Sequence, residues 1–135
     1  MFILDTNVVS ELRKRQAAPA VVAWAAKVPV VGLYLCSITL LELELGVLLA
    51  ERKDARAGEA LRKWLEGSVL LAFQSRVLPV DAQVARCSAR LHVPDRRPER
   101  DALMAGCALV HGMTVVTRNV EDFRTTGVQL VNPWH

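Results

Sequence analysis

The chain has 135 residues, 52% of them hydrophobic and 23% charged, with a formal net charge of +3. That balance fits one domain with a proper core and excludes a disordered or low-complexity chain. A pI near 9.0 permits a polyanionic partner without demanding one.

Cys36, Cys87 and Cys107 are odd in number and scattered. They have neither zinc spacing nor a disulfide framework, so they read as small buried residues in a reducing compartment. The longest uncharged runs, Val28 to Leu41 and Ala102 to Thr117, fall short of a membrane span. A first strand at Phe2 leaves no room for a signal or transit peptide. A soluble cytoplasmic protein is expected, with residues 1–135 forming one domain.

Phe2-Ile3-Leu4 runs straight into Asp5-Thr6-Asn7, as a short buried strand does when it ends in a site. Asp5 there has two readings: the cap of the next helix, or a functional acid at the carboxyl end of a strand. A short helix follows over Asn7 to Arg15, with Arg13, Lys14 and Arg15 complementing its dipole. Pro19 opens a second helix, to Lys27, and Pro29 and Gly32 mark a turn. Leu33 to Cys36 reads as a second strand. The helix from Ser37 is apolar almost all round, so it is expected to be buried. Glu42 and Glu44 interrupt it about 200° apart, at ~100° per residue, so they cannot share a face. Gly46 follows Glu42 on the same face; a helical glycine costs about 1 kcal/mol, and close approach of another group is its expected reason.

Glu51 to Glu66 is dense in mixed charge, with Leu61, Trp64 and Leu65 as an apolar stripe. It reads as an amphipathic helix in a hairpin with its predecessor. Arg76 to Val80 is a short third strand, and Asp81 caps a helix running to about Leu91. A charged loop between Pro94 and Pro98 leads to a helix over Asp101 to His111, closed by Gly112. Met113 to Thr117 is a fourth strand. Arg118, Asn119, Glu121 and Asp122 follow in a loop or helical turn, and Val128 to Val131 is a last strand.

Strands alternating with helices indicate an α/β fold with a parallel sheet and right-handed crossovers. In that topology Asp5, Glu42, Asp101, Asn119 and Asp122 reach one rim of the sheet from four segments. Crowded carboxylates in an apolar surround must either take up protons or share a cation, because an unpaired buried charge costs several kcal/mol. Oxygen-only ligands suit a hard ion such as Mg²⁺ or Mn²⁺. Such an ion activates water and neutralises charge on phosphate oxygens, chemistry suited to phosphodiester hydrolysis. His92, His111 and His135 form no ligand-spaced pair, and no GxSxG, P-loop or GxGxxG is present.

The run Asp5 to Glu11, the run Ser37 to Leu43 with Gly46, the run Asp101 to Ala105, and Thr117-Arg118-Asn119 with Asp122-Phe123 together resemble a PIN domain. The branch they look like is the VapC/FitB-type toxins of bacterial toxin–antitoxin pairs, as does the closing Asn132-Pro133-Trp134. The resemblance covers essentially the whole chain. It implies an α/β/α sandwich around a central, mostly parallel twisted sheet of four or five short strands. It implies a Mg²⁺- or Mn²⁺-dependent endoribonuclease acting on structured RNA such as tRNA or rRNA. A small cognate antitoxin, a homodimer, and operator DNA contacted only through the antitoxin are also implied. Carried over by position, Asp5, Glu42 and Asp101 match the family's first three acids; Asp5 and Asp101 are the expected direct metal ligands, and Glu42 binds metal or positions the water. Thr6 and Asn7 look like partners that orient Asp5, and Thr117 plays a similar part. Some members have an acid directly after Thr-Arg, where this chain has Asn119; Asp122 then supplies the fourth carboxylate, or Asn119 coordinates through its amide.

Arg13, Lys14, Arg15, Arg96, Arg97, Arg100 and Arg118 are candidates for phosphate contact, with Arg118 beside the expected site. Two other readings compete. A phosphatase of the haloacid-dehalogenase type would use Asp5 as nucleophile, but Asn7 stands where its second Asp belongs. A non-catalytic RNA- or protein-binding module would keep the acids for structure alone.

Overall fold

A computed structural model describes all 135 residues. Strand β1 (Phe2–Leu4) leads into α1 (Thr6–Arg13) and α2 (Pro19–Lys27), then β2 (Leu33–Cys36) and the long α3 (Ser37–Lys53). Next come α4 (Ala55–Trp64), continued by a π-turn over Leu65–Val69 and by α5 (Leu70–Ala72), then β3 (Val77–Leu78) and α6 (Ala82–Arg90). The chain closes with α7 (Glu99–His111), β4 (Thr114–Val116), two 3₁₀ turns and β5 (Leu130–Val131).

The sheet is parallel at every pairing, in the order β3-β2-β1-β4-β5. Side chains alternate across its pleat. Ile3, Cys36 and Val115 point into a core shared with α6 and α7. Leu4, Leu35 and Val116 point the other way, against Val8, Val21, Leu43, Val47 and Leu65. Helices therefore cover both faces, the condition under which a parallel sheet is stable.

The expected sandwich is observed; most element ends shift by a residue or two, and the amphipathic helix expected from Glu51 begins at Ala55 because α3 runs on to Lys53. Helix α7 begins at Glu99, two residues before the expected start, so Asp101 lies in its first turn. Gly112 ends that helix at φ 64°, the left-handed conformation that glycine adopts without cost.

Two expectations for α3 fail. The helix is not buried all round: only Ile38, Thr39, Leu43 and Val47 are, while Leu41, Leu45, Leu48 and Leu49 are 38–59% exposed. The sheet and α4 cover part of its circumference and leave a leucine stripe open. Nor does anything approach Gly46 closely, since a Cβ there would meet no atom within 4 Å. Close approach occurs instead at Gly58 on α4, where a Cβ would collide with the backbone of Glu51 on α3. That contact seats the α3–α4 hairpin.

Candidate active site

The strand order reverses direction at β1: β2 and β3 lie on one side of it, β4 and β5 on the other. Ligands of open α/β sheets bind in the crevice at such a switch point, outside the carboxyl ends of the strands. Asp5 and Thr117 are the residues that follow β1 and β4 there. The Thr117 hydroxyl donates to Asp5 Oδ2 at 2.8 Å. Both residues are buried.

The two readings of Asp5 prove compatible. Its Oδ1 accepts the amide of Thr6 at 2.7 Å and so caps α1. Its Oδ2 faces Thr117. Each carboxylate oxygen has two lone pairs, so Oδ1, with one donor, keeps capacity for a further ligand. Asn7 ties the crevice together: its Nδ2 lies 3.4 Å from both Asp5 Oδ2 and Thr117 Oγ1, and its Oδ1 accepts the Arg118 amide at 3.3 Å. The Asn119 amide donates back to Thr117 Oγ1 at 3.0 Å.

Thr6 does more than orient Asp5. Its hydroxyl donates to Glu42 Oε1 at 2.7 Å, locking a carboxylate that arrives from α3. The other oxygen of Glu42 lies 3.6 Å from Arg100 Nη1. Glu44, on the opposite side of α3, pairs with Arg62 of α4 at 2.7 Å. The helix-face separation of these two acids is thus realised in space. Thr39, one turn before Leu43, secures the crevice from beneath: its hydroxyl donates to the carbonyl of Leu4 at 3.3 Å. Sequence reasoning missed this role, because a threonine in an apolar helix reads as filler.

Electrostatics shows which acids share a space. Burial pushes the Asp5 carboxyl up, against hydrogen bonds from Thr117 and Thr6, and the charges of Glu42 and Asp122 push it further. Asp101, half-buried at the start of α7, is pushed up to about 6, first by burial, then by Asp122, Asp5 and Glu42. Asp122 stands exposed on a 3₁₀ turn after β4. The four acids therefore feel one another across the crevice, with Arg100 bound to Glu42 alone. No three of the protein's His, Cys, Asp or Glu side chains are gathered closely enough to form a finished metal cage. The donor set is all oxygen, and its mutual repulsion is what a hard divalent cation relieves.

The expected phosphate contacts divide. Arg97 serves the structure, donating to the Leu91 carbonyl and to Thr125. Arg118 lies over the Trp134 ring, 5.1 Å from its centroid. Arg13 lies likewise over Trp64 at 5.7 Å, and Lys14 pairs with Glu11 at 3.0 Å. Arg15 and Arg96 are exposed and make no ion pair.

Known proteins fit this description. Residues 2–128 match the PIN domain family model. The chain is 37% identical over 139 residues to the VapC ribonuclease Y4jK of Sinorhizobium fredii, covering 99% of this chain and 98% of that protein. It is 36% identical over 140 residues to the toxin FitB of Neisseria gonorrhoeae, covering 100% and 99%. The structure of FitAB bound to an IR36 DNA fragment superposes with a TM-score of 0.91 at 35% identity, over 100% of this chain and 96% of the matched one. With the family model and both relatives aligned nearly end to end, the chain belongs to the PIN domain family.

Proposed function

We propose that the protein is a Mg²⁺- or Mn²⁺-dependent endoribonuclease, the toxin of a toxin–antitoxin pair, cutting structured RNA such as tRNA or rRNA. The observation that carries the reading is the gathering of acids at the switch crevice, where Asp5 and Asp101 are pushed up by burial and by the charges of Glu42 and Asp122, with the Arg100 guanidinium beside Glu42. A cluster of that charge suits a site that receives a divalent ion and then a polyanion. The names of the relatives, one a ribonuclease and one a toxin, support the same reading.

Asp5 and Asp101 would hold the ion, with Glu42 beside them. When bound, such an ion supplies an activated water and offsets charge developing on phosphate oxygens. The Thr117 hydroxyl, the Thr6 amide and Asn7 fix the Asp5 carboxylate in one orientation. Thr6 holds one oxygen of Glu42 while the other faces the Arg100 guanidinium, and from there Glu42 would bind the ion or position its water. Asp122 is the fourth acid, while Asn119 contributes a backbone amide that holds Thr117. Arg100 neutralises Glu42 and stands ready for a substrate phosphate.

A small antitoxin protein is the proposed partner, with operator DNA contacted through it, in line with the FitAB–DNA relative. The leucine stripe of α3 suits a homodimer. The deciding experiment is an RNA-cleavage assay on the purified protein. Cleavage should require Mg²⁺ or Mn²⁺, stop with chelator, and vanish in Asp5→Asn and Asp101→Asn. Chelator-insensitive cleavage, or a trapped phospho-aspartate at Asp5, would overturn the assignment.

A further inference from the structure

Gly46 is unexplained by anything so far. It sits in the interior of α3, where a glycine costs about 1 kcal/mol relative to alanine. Its backbone is helical, so no left-handed turn requires it, and a Cβ would meet nothing within 4 Å, so no packing requires it. What a side chain there would fill is a cleft of about 280 Å³ that begins at Thr6 and Glu42 and runs between α1, α3 and α4. That is near the small end of ligand clefts, about 300–1,000 Å³, and suits one nucleotide rather than a duplex.

The walls of the cleft carry the chemistry of a nucleotide site. Arg13 and Lys14 bring two cations from the end of α1. Arg13 is held over the Trp64 ring at 5.7 Å, which fixes a planar cation beside an aromatic at the cleft wall. Lys14 is 60% exposed and has donors to spare beyond its bond to Glu11. Arg13 and Lys14 stand at the C-terminal end of α1 and Thr6 at its start, and Thr6 and Glu42, which are joined by a hydrogen bond, line the same cleft.

We propose that this cleft binds the nucleotide next to the scissile phosphate, as a single-stranded segment, with its phosphate on Arg13 and Lys14 and its base lying over the bare backbone at Gly46. The proposal rests on the ribonuclease reading and adds to it that the RNA must be unpaired for at least one nucleotide beside the cut. Sequence preference in the RNA would come from elsewhere on the molecule.

The test uses Gly46→Leu, which adds a good helix former where there is space for it, and Arg13→Gln, which keeps much of the side chain and removes the charge. A short single-stranded RNA of mixed sequence is titrated in chelator, with Trp fluorescence as the readout, and the same RNA is cleaved with Mg²⁺. Gly46→Leu should keep its melting temperature and weaken RNA binding at least about tenfold, the scale of one lost base contact. Arg13→Gln should weaken binding and flatten its salt dependence by about one phosphate's worth. Wild-type cleavage with unchanged binding and unchanged kcat/KM in Gly46→Leu would overturn the cleft and leave the ribonuclease intact. Wild-type protein that neither binds nor cleaves RNA would overturn both. Loss of antitoxin binding in Gly46→Leu with RNA binding untouched would overturn the proposal in favour of a protein segment as the occupant.

Discussion

Asp101 shows how a site of this kind works against the stability of its own fold. Its carboxyl is pushed up to about 6 because burial and three neighbouring acids oppose its charge. An acid whose pKa is raised by folding binds protons more tightly in the native state than in the unfolded one. Stability therefore falls as pH rises from about 4, the unfolded pKa, to about 6, and the full penalty applies above that. The side chain is partly exposed, so solvent screening reduces the nominal shift to a penalty of about 1 kcal/mol. Metal-free Asp101→Asn should therefore melt roughly 3 °C higher than wild type at pH 7.5, with the gap closing towards pH 4, as calorimetry would record. Equal melting at both pH values would mean that Asp101 does not sit among the other acids. Glu11 follows the opposite rule. It accepts the Ala18 amide at 2.9 Å and Lys14, which lower its pKa. Its contribution is present above the unfolded pKa and lost as pH falls through the folded one.

At the scale of elements, α3 separates what sequence can convey from what it cannot. The angular separation of Glu42 and Glu44 follows from helix geometry alone, and the structure places one on Thr6 and the other on Arg62. Glu42→Gln should thus depress RNA cleavage strongly, and Thr6→Val by about 10–100-fold, as expected for a group that orients an active side chain. Glu44→Gln should leave kcat/KM within about twofold and cost less than about 1 kcal/mol, since its ion pair with Arg62 is half-exposed. Comparable activity losses at Glu42 and Glu44 would contradict the placement. The partial exposure of α3 departs from its apolar pattern for a physical reason. Periodicity reports which side chains are apolar, and an apolar stripe looks the same whether it faces a core or an open surface. Close approach is expected at Gly46 and occurs at Gly58 for a similar reason. Whether a glycine is needed for contact depends on the helix across from it, which lies far away in sequence. Gly58→Ala should therefore destabilise the protein by about 1–3 kcal/mol, because Glu51 must give way. Its melting temperature, set beside that of Gly46→Leu, would reveal which glycine is the packed one.

Across the whole molecule, the five-strand order turns four short sequence signals into one site. The rim carrying the acids was legible beforehand, because strand–helix alternation fixes which ends point the same way. The crevice between β1 and β4 was not, because neither local pattern nor charge encodes strand order. The bond from Thr117 to Asp5 joins residues at opposite ends of the chain, and only the β1–β4 pairing brings them together. A ligand gripped there ties β1, α3 and α7 to one point, so its binding energy becomes stability of the entire fold. Binding to the native state alone stabilises by RT ln(1 + [L]/Kd), about 2.7 kcal/mol when the free ion is at 100 times its Kd. Titrating Mg²⁺ or Mn²⁺ into wild type should raise its melting temperature progressively and remove the penalty at Asp101. Asp101→Asn should begin higher and respond weakly, because one ligand charge is gone and the repulsion that invites the cation is smaller. The two titrations should cross. Parallel rises in both proteins would show that the cation binds somewhere other than these carboxylates, and the proposed chemistry would lose its metal.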